Sequence, residues 1–251
     1  EGLVGSEMCI RDRIKSVDLL IKNIESQISK IVYLRKSMLC KLMKDGIRHK
    51  RFKSSLIGNL PSDWELLKGL DILELGSGTS PSNLKFSDEG DILYIKVDDF
   101  NNVENSTYIK TSKLRYSCTE NPKYKPYPKG TLVIAKRGAA IQKNRIKILI
   151  RDTYVDTNIM TIKSKRFIPE FLAIFLENEN ISTLADMTSI PQLNNFHLNE
   201  YNFSLPPEVE QKEIIQIINS VTNLIDAKKE KLFKFNSLRK SLIDKFYNKK
   251  I

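Results

Sequence analysis

The sequence predicts an α+β protein in which a strand-rich domain is flanked by two long helices that form an antiparallel coiled coil. The first observation is a repeat: residues 14–43 return 204 positions later, without a gap, as residues 218–247. The second is a row of apolar residues at alternating steps of three and four in both copies, which is the spacing of helices that wrap around each other. The third is the chain between the copies, where short strand-like segments are separated by Gly, Pro, Asn and Ser.

The two helical copies are similar enough to predict similar partners, and each copy is a candidate partner for the other. Eleven of the thirty aligned residues are identical, whereas ordinary amphipathic helices packed on their own domain would explain the periodicity but not this similarity. The chain enters the domain after Gly46 and leaves it at Leu205, so antiparallel pairing requires the least chain. The predicted pairing residues lie in the apolar row: Ile21, Ile28, Ile31, Ile225, Leu232 and Phe235.

Composition favours a polyanionic partner and argues against several other classes. The net charge of the 251 residues is +11, which favours nucleic acid, although a basic surface that only aids solubility is the alternative. Three scattered Cys and two His indicate neither a disulfide framework nor a metal site. No apolar run approaches the ~18 residues that span a bilayer. We therefore expect a cytoplasmic protein with no membrane association and no cofactor.

Four segments are predicted along the chain. Residues 1–13 fit nothing that follows and resemble translated adapter sequence, so they are expected to be a non-native leader, and the natural protein would then begin further upstream. Residues 14–45 form the first spacer helix, residues 46–205 the central domain, and residues 206–251 the second spacer helix.

Each predicted element has a local reason in the sequence. Gly46 can adopt the left-handed conformation that ends a helix, and residues 47–59 are interpreted as a basic, irregular linker. Pro169 suits the first position of a helix over residues 169–179, and Glu208 favours a helix start by its charge. The predicted strands are residues 64–67, 72–75, 92–97, 132–136, 146–150 and 159–163.

Two short motifs imitate a DNA adenine methyltransferase that uses S-adenosylmethionine. Residues 73–78 read Leu-Glu-Leu-Gly-Ser-Gly, like the first half of a glycine-rich cofactor loop, but a third glycine is missing and Pro81 follows where a helix should continue. Residues 121–124 read Asn-Pro-Lys-Tyr and lack the second proline of a catalytic Asn-Pro-Pro-aromatic loop. The methyltransferase is therefore kept only as the alternative, beside a coiled-coil assembly protein without a DNA function.

Two polar loops favour DNA binding. The first spans residues 136–145 and combines cations that can bind phosphates with Arg and amide side chains that can read base edges. The second, residues 189–195, offers further amides, although solvated turns would have the same composition. The predicted DNA-binding residues are Lys96, Lys136, Arg137, Gln142, Lys143, Asn144, Arg145, Gln192, Asn194 and Asn195.

The chain resembles the specificity subunit of Type I restriction–modification systems. The resemblance runs from the first helix to the C-terminus and is carried by Leu60-Pro61-Ser62-Asp63-Trp64, by residues 76–81, 94–99 and 132–145, by Ile190-Pro191-Gln192-Leu193 with Ser189 before it, and by residues 205–211, Leu-Pro-Pro-Glu-Val-Glu-Gln.

The resemblance implies a non-catalytic subunit that recognises DNA. In that family two target-recognition domains each read half of a split site in double-stranded DNA, and two long helices set the distance between the halves. Methyltransferase subunits, and in some complexes a restriction subunit, are the implied partners. This sequence departs from the pattern because it has both helices but one recognition domain. It is therefore interpreted as the C-terminal half of a longer subunit, or as a half-length subunit that forms a homodimer through the helices.

Overall fold

The chain folds into two units in the computed structural model, which describes residues 2–85, 90–117, 123–186 and 190–248. The helical unit contains the chain up to Lys41 and from Gln216 onward, and the central unit is Leu42–Ile215. The elements are α1 (Gly2–Asp45), β1 (Phe52–Ser55), β2 (Gly58–Pro61), β3 (Glu65–Lys68), α2 (Gly69–Ile72), β4 (Leu73–Ser77), β5 (Ile92–Ile95), β6 (Tyr108–Ile109), β7 (Leu114–Tyr116), β8 (Leu132–Ala135), β9 (Ile146–Leu149), β10 (Thr153–Val155), β11 (Ile159–Ser164), α3 (Pro169–Glu179), α4 (Asn195–Asn199), β12 (Asn202–Leu205) and α5 (Glu208–Asn248).

The two long helices pair antiparallel in the helical unit, as the sequence predicts. Low numbers on one helix meet high numbers on the other, which only an antiparallel arrangement allows. The α1 helix begins at Gly2, so residues 2–13, which we expected to be a leader, continue the first helix. Hydrogen bonds that join α1 to α5 run from Arg35 Nε to Thr222 Oγ1 at 3.0 Å, from Lys228 Nζ to Gln27 Oε1 at 2.7 Å, and from Arg239 Nε to Asp18 Oδ1 at 2.5 Å.

The helix pair has an approximate twofold symmetry that follows from the repeat. Arg35 and Arg239 are equivalent under the 204-residue shift, and so are their partners Asp18 and Thr222. The same polar contact is thus made twice, once on each side of the pair. Each arginine interrupts the apolar row but reaches a polar group on the facing helix, so neither guanidinium is buried without a partner.

The predicted pairing residues lie on the seam with different degrees of burial. Ile21 and Ile225 are 8% and 5% exposed. Val17 and Ile24, the neighbours of Ile21 in the apolar row of α1, are buried as well. Ile28, Ile31, Leu232 and Phe235 are half-buried. Burial is therefore greatest around Ile21 and Ile24 on α1 and, at a separate place along the seam, around Ile225 on α5.

The core of the central unit is a five-stranded sheet in the order β4-β11-β8-β9-β6. All neighbours are antiparallel except β6 and β9, which are parallel. Since β4 and β8 both run antiparallel to β11, their C-terminal ends lie at the edge where β11 begins. That edge carries the loops considered below.

A second sheet of three strands, β10-β5-β7, packs a cluster of tyrosines. Tyr94, Tyr116 and Tyr154 are buried, and their rings contact one another. The Tyr94 hydroxyl donates to the Thr79 carbonyl at 2.8 Å and to Asp156 Oδ2 at 3.1 Å. Burial, together with the Asp156 carboxylate, raises the pKa of Tyr94. The cluster therefore ties the segment after β4 to the start of β11.

Two neighbouring residues of α5 connect distant parts of the central unit. Glu210 Oε1 accepts from the Ile47 N–H at 2.7 Å, Glu210 Oε2 accepts from the Trp64 indole at 2.7 Å, and His49 Nε2 lies 2.8 Å from Oε1. We call these four residues the Glu210 clasp. Gln211 accepts from the Ile168 N–H at 2.8 Å and donates to the carbonyls of Arg166 and Pro206. The acid and amide that follow the two prolines thus have structural roles.

Most predicted elements are present within a residue or two. Each predicted strand is found, α3 has the predicted bounds, and Gly46 has the expected left-handed conformation, with φ of +64°. The prediction of an irregular linker over residues 47–59 is wrong, because β1 and β2 pair there as an antiparallel hairpin. The other strands and α-helices not predicted from sequence are also short: β6, β7, β10, β12, α2 and α4. Within the described ranges, no helix is both long enough and apolar enough to cross a membrane.

Candidate functional site

The two polar loops predicted from sequence lie side by side at one edge of the five-stranded sheet. The Gly138 N–H donates to the Pro191 carbonyl at 2.9 Å, and the Leu193 N–H donates to the Lys136 carbonyl at 2.9 Å. Nearly sixty residues of chain separate these segments, so their pairing is a tertiary feature. Residues 136–145 and 190–195 form one surface, which we call the paired-loop site; Ser189 lies outside the described residues.

Arg137 and Gln192 face each other at the centre of the paired-loop site. They form an antiparallel bridge. The side chains of two residues directly opposite each other in such a bridge start close together and on the same face. Arg137 is exposed and Gln192 is half-buried. A guanidinium offers paired donors and a carboxamide offers a donor beside an acceptor. Together they can hydrogen-bond two adjacent flat polar groups.

A half-buried lysine precedes Arg137 in the first loop. Lys136 follows β8, and its Nζ donates to Ser77 Oγ at the end of β4 at 2.6 Å. Burial lowers the pKa of Lys136, and the nearby Arg137 charge lowers it further. The ammonium and the hydroxyl are thus held at the same edge of the sheet as the paired loops, where they can contribute to an anion site.

Gly78, directly after β4, has a packing role in place of the cofactor role suggested by the sequence. A Cβ on Gly78 would lie 2.0 Å from the Val155 carbonyl oxygen, so only glycine allows this approach. The segment continues into a 3₁₀ turn, Pro81–Asn83, and not into a helix that could present its N-terminus to a cofactor. The methyltransferase alternative is therefore not supported. Asn121 and Pro122 of the second motif lie outside the described residues.

Asn144 and Arg145 hold neighbouring segments in place. Asn144 adopts a left-handed conformation with φ of +43°, and its Nδ2 donates to the Glu177 carbonyl at 3.2 Å near the end of α3. Arg145 donates to the Phe100 carbonyl at 3.3 Å and contacts Asn101. Both side chains are half-buried. Their internal hydrogen bonds attach this polar loop to the end of α3 and to the segment at Phe100.

The remaining predicted residues differ in exposure. Gln142 and Lys143 are exposed in the 3₁₀ turn Ile141–Lys143, and Asn195 is exposed at the start of α4. Lys96 is exposed, and its N–H donates to Asp99 Oδ2 at 2.7 Å. Asn194 is half-buried and precedes α4. The exposed members of the whole predicted set are thus three cations and two amides: Lys96, Arg137, Lys143, Gln142 and Asn195.

Asp186 is a site residue that sequence reasoning missed. Its N–H donates to the Gln192 carbonyl at 2.9 Å and its carbonyl accepts from the Gln192 N–H at 3.1 Å. Its carboxylate accepts from Asn194 Nδ2 at 3.2 Å and lies 3.4 Å from His197 Nε2. Gln192 Nε2 in turn donates to Asn194 Oδ1 at 2.7 Å. An acidic residue outside a basic loop gives no signal by itself, because its role depends on these contacts.

Replacing Asp186 by Ala is expected to loosen the second loop while the sheet stays intact. The carboxylate contacts with Asn194 and His197 are lost, and each such hydrogen bond contributes about 1 kcal/mol. We expect the backbone amide hydrogen of Asn194 to exchange with solvent roughly tenfold faster than in the wild type. Hydrogen exchange followed by NMR measures this rate. Asp152→Ala, at an exposed aspartate elsewhere in the central unit, is the matched control, and equal rates in both variants would contradict a positioning role.

Among the residues that the structure describes, no group of His, Cys, Asp and Glu is placed to hold a metal ion. The paired-loop site presents a guanidinium, a carboxamide, an ammonium and a hydroxyl at one edge of the five-stranded sheet. Such a set binds anions and flat polar groups.

Comparisons with known proteins agree on one protein family. Residues 61–234 match the family model described as the Type I restriction modification DNA specificity domain. The Type I restriction enzyme MjaVIII specificity subunit of Methanocaldococcus jannaschii is 27% identical over 251 residues, which cover 93% of this chain and 57% of that protein. The MjaIX specificity subunit of the same organism is 27% identical over 195 residues, covering 71% of this chain and 42% of that protein.

Solved structures share the fold. The HsdS subunit from Thermoanaerobacter tengcongensis superposes with a TM-score of 0.66 at 14% identity, covering 95% of this chain and 56% of that chain. A chain from a study of complex assembly and conformational transition of the type I R-M system gives a TM-score of 0.70 at 15% identity, covering 97% and 57%. This chain thus spans about half the length of the relatives it matches.

Proposed function

Because the chain belongs to the family of the Type I restriction modification DNA specificity domain, we propose that its central unit reads part of a split site in double-stranded DNA and directs a Type I restriction–modification complex to it. The observation that carries the proposal is the pairing of the two loops, which sets Arg137 opposite Gln192 at the edge of the sheet. A rigid surface of this kind can hold base-reading side chains in fixed positions.

The chemistry of these side chains matches base edges and phosphates. Arginine donates two hydrogen bonds to the O6 and N7 atoms of guanine, and glutamine pairs with the N6 and N7 atoms of adenine. Lys136, Lys143 and Lys96 supply charges for phosphates, which position a protein on DNA without reading sequence. The net charge of +11 adds a general attraction to DNA.

The helical unit serves as a spacer in this proposal. A thirty-residue helical copy spans about 45 Å at 1.5 Å per residue, which is a suitable length for separating two recognition sites. Methyltransferase subunits, and in some complexes a restriction subunit, carry out the chemistry in the cytoplasm, and this chain supplies recognition only. The second recognition site comes from a further domain of a longer subunit or, as the alternative, from a second copy of this chain.

Changing both Arg137 and Gln192 to Ala is expected to relax the sequence preference at two base positions and leave general DNA binding. Each bidentate base contact discriminates by about 1–3 kcal/mol. With the chain co-expressed beside its methyltransferase subunit, methylome sequencing measures the preference: Arg137→Ala alone should relax one base position, and the double variant should relax two.

Lys143→Ala is the matched control for this experiment. It should weaken binding to all sequences alike and lower the salt dependence of log K by about one unit, because one phosphate contact is lost. A double variant that methylates the same sites as the wild type would refute the site. A wild-type chain that fails to bind DNA at low salt would instead favour an assembly protein without a DNA function.

A further inference from the structure

The tip of the hairpin β1–β2 carries apolar residues where turn chemistry does not require them. Ser55 pairs with Gly58, so Leu56 and Ile57 occupy a two-residue turn, and they are 85% and 50% exposed. Such turns favour Asn, Asp and Gly. The Ser55 hydroxyl donates to the Gly58 carbonyl at 2.6 Å and holds the turn closed. The apolar pair is therefore not explained by folding of the turn.

The hairpin offers little of its own surface to the core. Its burial begins at the base, where Leu60 and Pro61 are buried, whereas Phe52 is 43% exposed. In the described part of the chain β1 and β2 form a sheet of two strands only. Two-stranded β-ribbons of DNA-binding proteins lie in the major or the minor groove.

The charged side chains of the hairpin and of the residues just before it are all positive. Residues 48–61 contain Arg48, Lys50, Arg51 and Lys53 and no Asp or Glu, and these four cations are exposed. Lys53 Nζ donates to the Ser62 carbonyl at 3.0 Å and so remains at the hairpin base. An exposed apolar tip flanked only by cations is complementary to DNA, where apolar side chains enter the minor groove between base steps while Lys and Arg bind the adjacent phosphates.

We propose that the hairpin β1–β2 is a second DNA contact of this chain, in which Leu56 and Ile57 enter the minor groove and Lys50 and Arg51 bind the flanking phosphates. The proposal rests on the proposed function, since it requires that the chain binds DNA. It differs from the paired-loop site in residues and in effect, because a minor-groove wedge distorts DNA and contributes affinity with little base discrimination.

The test compares the double variant Leu56→Ser, Ile57→Ser with the wild-type chain on a mixed-sequence DNA duplex by fluorescence anisotropy. We expect about tenfold weaker binding, since the inserted side chains are lost. A minor-groove-binding polyamide should displace the wild type but have little further effect on the variant. Val103→Ser, which removes an equally exposed apolar side chain elsewhere in the central unit, is the matched control and should bind as the wild type does.

The cationic part of the proposal has its own readout. Lys50→Ala and Arg51→Ala should each lower the salt dependence of log K by about one unit. Trp64 fluorescence reports whether every variant is folded, since it is the single tryptophan of the chain.

The outcomes separate this inference from the proposed function. A wild-type chain that binds DNA and a tip variant that binds equally well, with the same polyamide sensitivity, overturn the hairpin contact and leave the paired-loop site standing. A tip variant that keeps its DNA affinity but no longer assembles with a methyltransferase subunit also overturns it, because the tip is then a protein-docking surface. Failure of the wild type to bind DNA at all overturns the proposed function itself.

Discussion

Replacing Ile225 by Asp is expected to separate the two long helices while the central unit stays folded. Ile225 is 5% exposed in the antiparallel seam, and a carboxylate there has no hydrogen-bonding partner, which costs about 3 kcal/mol or more. Circular dichroism should show a loss of helix content on mild heating, and size-exclusion chromatography with light scattering should show an expanded chain or altered assembly. Ile28→Asp and Leu232→Asp should act in the same direction but more weakly, because both side chains are only half-buried.

The matched control is Asn223→Asp, which adds the same charge two residues earlier on the exposed side of α5. Its helix content and assembly should equal those of the wild type. Trp64 lies in the central unit and is fully buried, so unchanged tryptophan fluorescence in Ile225→Asp would show that only the helical unit is affected. Equal behaviour of Ile225→Asp and Asn223→Asp would mean that the seam is not what holds the helices together.

Replacing Glu210 by Ala is expected to destabilise the central unit by about 3 kcal/mol. The carboxylate accepts from the Ile47 amide and the Trp64 indole and contacts His49. Alanine leaves these groups without their acceptor in a largely buried place. The midpoint of urea unfolding, followed by Trp64 fluorescence, measures the loss at the residue that makes the contact.

Two further variants sharpen this test. Glu213→Ala removes an exposed carboxylate one turn along the same helix and should leave the midpoint unchanged. Glu210→Gln keeps one acceptor oxygen and should recover part of the lost stability. The Glu210 clasp would have no energetic role if Glu210→Ala unfolded at the same urea concentration as Glu213→Ala.

The elements that sequence predicts well are those with many residues in one regular pattern. The apolar row of α1 and α5 repeats over several turns, and the same polar interruption occurs in each copy, at Arg35 and Arg239. Residues 132–135 are apolar throughout, and residues 159–162 are apolar except for Thr161, which fits strands buried on both faces. The pairing of two copies with each other also followed from their similarity.

Features that depend on distant contacts were not predictable in the same way. The hairpin β1–β2 has an apolar turn and no clean alternation, so its sequence resembles a linker. Asp186 acts only because the loop that contains Gln192 folds back against it. Asn144 and Arg145 have the composition of base-reading residues, yet tertiary contacts with α3 and with Phe100 turn them inward. Composition selects candidate side chains, and packing decides which of them face outward.

The Glu210 clasp has a consequence for the order of folding. Ile47 and Glu210 are 163 residues apart in sequence but share a hydrogen bond, so closure of that long loop is complete once the central unit has folded. The entropic cost of closure rises only with the logarithm of loop length, but it must be met before distant helices gain any pairing energy. The clasp joins the chain just after α1 to the first turn of α5, because Ile47 follows α1 and Glu210 lies in that turn. We expect the helices to pair first at the ends nearest the clasp, so that the contact between Arg35 and Thr222 forms before the one between Asp18 and Arg239. We therefore expect the helix pair to form after the central unit has folded.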